Sequence, residues 1–159
     1  MTTKTELLQR IWRDYESEHG HIPATAREAV EWGVDNGHID LPEIDPYDVL
    51  AGDMARALRE EYATDSRGQR YRVNHAVRVT KSGVQYTFWA RMGYAERPHM
   101  ERAFAQRREQ IVGDCLQLKI DVDAYNEMNK GETPVQLVLD FTHDVAERQH
   151  WRDDDREAA

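Results

Sequence analysis

The sequence predicts an α+β, mainly helical chain: three N-terminal helices, a two-stranded β-hairpin, a long C-terminal helix and a short final helix. Three observations carry that prediction. Apolar residues recur at helical spacing before residue 62 and again after Pro98, the stretch 71–92 alternates apolar and polar residues, and Gly or Pro stands at the joins between these segments.

Residues 5–18 place Leu8, Ile11, Trp12 and Tyr15 on one face, and Gly20 ends that helix. Pro23 opens a second helical pattern over 24–36, with Ala26, Ala29, Val30 and Gly33 in one stripe and Gly37 as terminator. A loop follows, "HIDLPEID". Asp45 then caps a third helix and Pro46 occupies its first turn, with Leu50, Met54, Leu58 and Tyr62 recurring every four residues. "TDSRG" breaks the pattern.

In the next stretch Tyr71, Val73, His75, Val77 and Val79 alternate with Arg72, Asn74, Ala76, Arg78 and Thr80, the period of a half-buried strand. The return strand sets Val84, Tyr86, Phe88 and Ala90 against Gln85, Thr87, Trp89 and Arg91. A two-residue turn at Ser82-Gly83 keeps both faces clean. It pairs Val79 with Tyr86, Val77 with Phe88 and Arg78 with Thr87, whereas a three-residue loop would split the apolar face.

Beyond Pro98 the residues Phe104, Arg108, Ile111, Cys115, Leu118, Val122 and Tyr125 step by four and three, a heptad-like seam over about three heptads. Val112, Leu116 and Ile120 make a second apolar line, so this helix is expected to have more than one neighbour. The seam serves either internal packing or self-association, and self-association is the favoured reading for Phe104, Ile111, Cys115, Leu118, Val122 and Tyr125. "NKGE" interrupts the helix, and Thr133-Pro134 offers a new start. "VQLVLDFTHDVAER" reads as a helix or as a short strand in its first half; the cap and Val145-Ala146 favour helix. "RDDDREAA" reads as a solvated tail. The expected organisation is therefore a domain at 1–95, a helical extension at 96–150 and a charged tail at 151–159.

At 159 residues, with 40% apolar and 32% charged residues, the chain can bury a core without disulfides or metal. No apolar run approaches the roughly 18 residues of a membrane span, and the N-terminus alternates apolar and charged positions, unlike a secretory signal. One cysteine, Cys115, fits a reducing cytoplasm, the expected location.

Charge is segregated. Residues 1–66 hold six basic and 15 acidic side chains, residues 67–108 hold ten and two, and residues 109–159 hold five and 13, within an overall net charge of -9. A basic hairpin in an acidic chain is the footprint of a nucleic-acid contact, because phosphate attraction supplies most non-specific affinity. Arg67, Arg70, Arg72, Arg78, Lys81 and Arg91 are the candidate contacts. The bland reading pairs these cations with the chain's own acidic helices. Trp89 shares the outward face with the arginines, where it could stack on a base or an Arg; the favoured reading is that the helix after Pro98 covers it.

The order of three helices, hairpin and long helix resembles the winged-helix branch of the helix-turn-helix proteins over residues 5–92, by element order and not by motif. The resemblance implies that residues 71–92 form the wing, that residues 46–62 form the recognition helix, and that C-terminal helices build a dimer. Two features depart from it. The connection between helices two and three is about eight residues long, and Asp48, Asp53, Arg56, Arg59 and Glu60 occupy the third helix's polar face, where phosphates would repel the aspartates.

No phosphate-binding glycine loop, catalytic-triad spacing or zinc pattern is present, so no enzymatic activity, cofactor or metal is expected. His19 and His21 lack further ligand spacing, His143-Asp144 reads as an ordinary polar helical turn, His75 reads as a hydrogen-bonded core histidine, and Cys115 reads as a small packed hydrophobe. The function expected is a nucleic-acid-binding, homodimeric regulatory or accessory protein, with DNA as the partner. The alternative is a protein-interaction module that self-associates through its C-terminal helices and binds no nucleic acid.

Overall fold

The computed structural model describes residues 1–157, apart from the side chains of Asp154, Arg156 and Glu157. Its elements run α1 (Lys4–His19), α2 (Ala26–Asp35), α3 (Pro46–Glu60), β1 (Tyr62–Thr64), β2 (Arg70–Arg72), β3 (Asn74–Lys81), β4 (Val84–Arg91), α4 (Arg97–Met128) and α5 (Thr142–Glu157). This is the expected α+β order of three helices, a hairpin, a long helix and a final helix, with one further short hairpin. The order is compatible, at the coarse level, with a winged-helix-like fold. Among the described residues no helix is long and apolar enough to cross a membrane.

The chain forms two compact units, Met1–Ala51 and Gly52–Ala159. In the first, α1 packs on α2. Each of these helices starts with a reciprocal cap in which Thr3 or Thr25 and the Glu three residues on, Glu6 or Glu28, satisfy one another's backbone N–H. Those bonds hold both glutamate carboxyls below the usual range. Ile11 and Ala29 are buried between the helices. Gly33 lets them approach: a Cβ there would stand 2.9 Å from Ile11 Cγ2. Around this contact Tyr15 meets the edge of Trp32, which stacks on His38 and donates to Glu18.

In the second unit, β1 and β2 form one antiparallel hairpin and β3 and β4 another. Within the larger hairpin Val77 faces Phe88, Arg78 faces Thr87 and Val79 faces Tyr86, the register expected from a two-residue turn. Ser82 (φ 51°) and Gly83 (φ 77°) both adopt left-handed backbone, as a type I′ turn requires. Val73, Val77 and Ala103 form the buried apolar core, with Asn74 and His75 buried beside them.

α4 lies along β3 and closes it by side chain. The Arg78 N–H donates to Gln106 Oε1 (2.8 Å) and Gln106 Nε2 donates to the Arg78 carbonyl (2.9 Å), so one amide satisfies both backbone groups of a strand residue.

Several expectations are corrected. The strand expected to start near Tyr71 is broken at Val73, whose N–H goes to the Glu61 carbonyl and whose carbonyl accepts from Met92 N–H. Upstream residues pair with β1 and downstream residues with β4, so three successive residues, Val73 to His75, are buried where alternation predicts two. The third helix ends at Glu60, and Tyr62 begins a strand. The expected apolar side of β4 is largely uncovered, with Val84, Tyr86 and Phe88 about half exposed, while α4 packs mainly on β3.

The helix expected to restart at Thr133-Pro134 begins only at Thr142, where Asp140 accepts the Thr142 N–H. Asn126 instead holds both backbone groups of Val135 (2.8 and 2.9 Å). Val135, Leu137 and Leu139 then line a crevice with Val122 of α4, the period-two pattern of the alternative strand reading without a strand partner. The expected solvated tail is helical through Glu157, and its last two residues lie outside the described residues.

Candidate nucleic-acid interface

Cross-strand pairing decides which side chains share the outer face of the large hairpin. Ala76 pairs with Trp89 and Arg78 with Thr87, so these four point to one side and Val77 and Phe88 to the other. Ala76 and Thr87 are small and make a low floor. The last turn of α3 supplies Arg59, β2 supplies Arg72, and α4 supplies Gln106, Arg107, Glu109 and Gln110 as walls. Together they bound a concavity of about 740 Å³, also lined by His75 and Asn74.

Four arginines therefore converge here, against one glutamate. Among the described residues none of Arg59, Arg72, Arg78 and Arg107 makes an ion pair with a carboxylate; the ion pairs of the chain lie elsewhere, several of them between helix residues three or four apart. Arg78 donates to the neutral Gln110 side chain at 3.4 Å. The Arg59 guanidinium sits 5.4 Å from the centre of the Trp89 ring, a cation–π contact that holds both at the rim. Trp89 is half-buried on the arginine face, stacked with an Arg as one of its two sequence readings anticipated.

Asn74 and His75, which also line the concavity, are both hydrogen-bonded. Asn74 Nδ2 donates to the Leu58 carbonyl and to Glu61, both at 3.2 Å, fastening the hairpin to the end of α3. His75 is 4% exposed, donates Nε2–H to the Arg72 carbonyl (2.8 Å) and meets the edge of Phe104. Burial lowers its pKa. Its hydrogen bond to Arg72 opposes that shift, and the charges of Arg107, Arg72 and His99 reinforce it. His75 is thus the hydrogen-bonded core histidine expected from its place on the inner face.

Of the six candidate contacts read from sequence, the concavity includes Arg72 and Arg78. The other four lie outside it, though within the same unit. Arg70 lies over Tyr62, Lys81 over Phe88 and Arg91 over Tyr94, and Arg67 sits in the β1–β2 loop held by Asp65. Among the described residues none of these four pairs with a carboxylate either. Arg59 and Arg107 also line the concavity but were not among the candidate contacts, although the sequence places Arg59 on the polar face of the third helix. Arg59 follows the acidic part of α3, and Arg107 stands in a helix read chiefly for its apolar seam.

The candidate self-association residues divide. Phe104 reaches His75, Val122 lines the crevice under Val135, and Cys115 is half-buried, while Ile111, Leu118 and Tyr125 are 56%, 46% and 51% exposed. Among the described residues no group of His, Cys, Asp or Glu is arranged to hold a metal ion. No family model, curated protein or solved structure matches the chain.

Proposed function

We propose that this chain is a non-catalytic DNA-binding protein of the cytoplasm, regulatory or accessory in role and homodimeric, which holds backbone phosphates in the arginine-lined concavity of its larger hairpin. The observation that carries the reading is that, among the described residues, Arg59, Arg72, Arg78 and Arg107 line one concavity and none has a carboxylate partner. A concave cluster of unneutralised guanidiniums fits phosphate oxygens, which they can meet with two parallel N–H donors.

The α3 helix fits a groove-reading role poorly. Asp53 engages Arg56 at 3.2 Å, and Arg59 turns toward Trp89. Binding therefore rests on backbone contact more than on base reading, and affinity should depend weakly on sequence.

Fluorescence polarisation with random duplex and single-stranded probes tests the proposal. Arg72→Ala with Arg78→Ala should weaken binding to every duplex, while Arg27→Ala, which removes an exposed arginine already paired with Glu31, should not. A parent that binds no nucleic acid at low salt, or a double variant that binds as the parent does, would refute it.

A further inference from the structure

The middle of α4 is apolar on two lines and covered by neither of its neighbours. Gln106 and Gln110 are turned to Arg78 on β3 at one end, and Asn126 and Val122 engage the segment at 135–139 at the other. Between those ends Ile111, Val112, Leu116, Leu118 and Ile120 are each 46–59% exposed. A 32-residue helix of about 48 Å carries this strip.

We infer that a second copy of this chain covers the strip, with the two α4 helices antiparallel. The inference rests on the proposed homodimer and adds its orientation. Charge along α4 selects it. Residues 97–108 carry four arginines against Glu101, a net of +3, while residues 109–128 carry five acids against Lys119, a net of -4. Antiparallel pairing lays the basic third of one copy along the acidic part of the other. Parallel pairing lays like on like, which is unfavourable along the whole length.

The apolar pattern permits the same arrangement. Phe104, Ile111, Leu118 and Tyr125 recur every seven residues, and reversing the helix about a centre between residues 114 and 115 exchanges 104 with 125 and 111 with 118. This four-residue line maps onto itself under that reversal, as a closed two-fold interface requires, with Val112 and Leu116 flanking it opposite Gln117 and Gly113. Arg108, on the seam, then lies beside the acidic stretch around Asp121 of the other copy.

The arrangement has a consequence for the basic concavity. Gln106 marks its α4 wall, and an antiparallel pair centred between residues 114 and 115 sets the two Gln106 residues about 26 Å apart along the helices. Both concavities then lie within reach of a single duplex, whose helical repeat is about 34 Å.

Pulsed electron–electron resonance on a spin-labelled Cys115→Ser, Met128→Cys protein reads the orientation; Met128 is 81% exposed and carries no seam contact. Antiparallel helices place the two labels about 40 Å apart, whereas parallel helices place them within about 20 Å. A short distance in a dimeric protein overturns the orientation and leaves the homodimer standing. A protein that sediments as monomer at high concentration overturns both. Ile111→Glu with Leu118→Glu supplies the second measurement: it should yield monomer with the parent's helical circular dichroism. Loss of that signal would mean that the strip is internal core, and would overturn the inference.

Discussion

Replacing Gln106 with Met tests how the concavity is held together. Met keeps the length of the side chain and removes its amide, so the Arg78 N–H and carbonyl lose their partners at 2.8 and 2.9 Å together. A net hydrogen bond contributes about 0.5–1.5 kcal/mol, which brackets the loss at about 1–3 kcal/mol. Arg78 is exposed, and water reaching its backbone moves the expectation to the lower half, about 1–2 kcal/mol. Urea unfolding followed by circular dichroism reads this as a lower midpoint at unchanged slope. Gln117→Met is the control, because Gln117 bonds only within its own helix, to Asp121. The Arg78 amide should also exchange faster with solvent in the Gln106 variant. A Gln106→Met protein within about 0.3 kcal/mol of the parent, or no more destabilised than the control, would show that this clamp does not hold α4 to β3.

Three further outcomes follow from the same structure. Val77→Asp should destabilise the protein by several kcal/mol, because it buries an unpaired carboxylate; Val84→Asp, on the same face but half exposed, should change the melting temperature little, and equal losses would contradict the observed limit of α4 coverage. The lowered pKa of His75 means that the unfolded chain binds its proton more readily, so stability should be full above about pH 6.5 and fall as pH drops through and below that value. His75→Asn should flatten that fall, and an unchanged pH profile would show that another group causes it. The labelled α4 dimer should give the long distance already stated.

How much of this was legible in the sequence depends on how local the cause is. Ser82-Gly83 and the alternation on either side of it fix the hairpin register, since a one-residue slip would move every apolar side chain to the other face. Asp45-Pro46 marks the start of α3 for the same local reason. The Thr3–Glu6 and Thr25–Glu28 caps also had a readable signal, Thr followed three residues later by Glu.

What was hidden is non-local. Val73 breaks the strand because Glu61 and Met92 claim its backbone from opposite sides. The restart at Thr133 fails because Asn126 takes both backbone groups of Val135. The concavity needs Arg59 and Arg107, 48 residues apart in the chain, and only folding brings them to one rim. Arg72 and Arg78 both line the concavity, Arg72 from the separate β1–β2 hairpin, and nothing local to them says which other cations join them.

The dependence of binding on salt tests the central claim most directly. Each phosphate neutralised on duplex DNA contributes about -0.9 to the slope of log Kobs against log salt, so four arginines contribute about -3.6 per bound chain. Arg72→Ala with Arg107→Ala removes two of them and should make the slope shallower by about 1.8, with weaker affinity on every sequence and an unchanged fold. A double variant that keeps the parent's slope would contradict the claim that the concavity is where this protein meets phosphate.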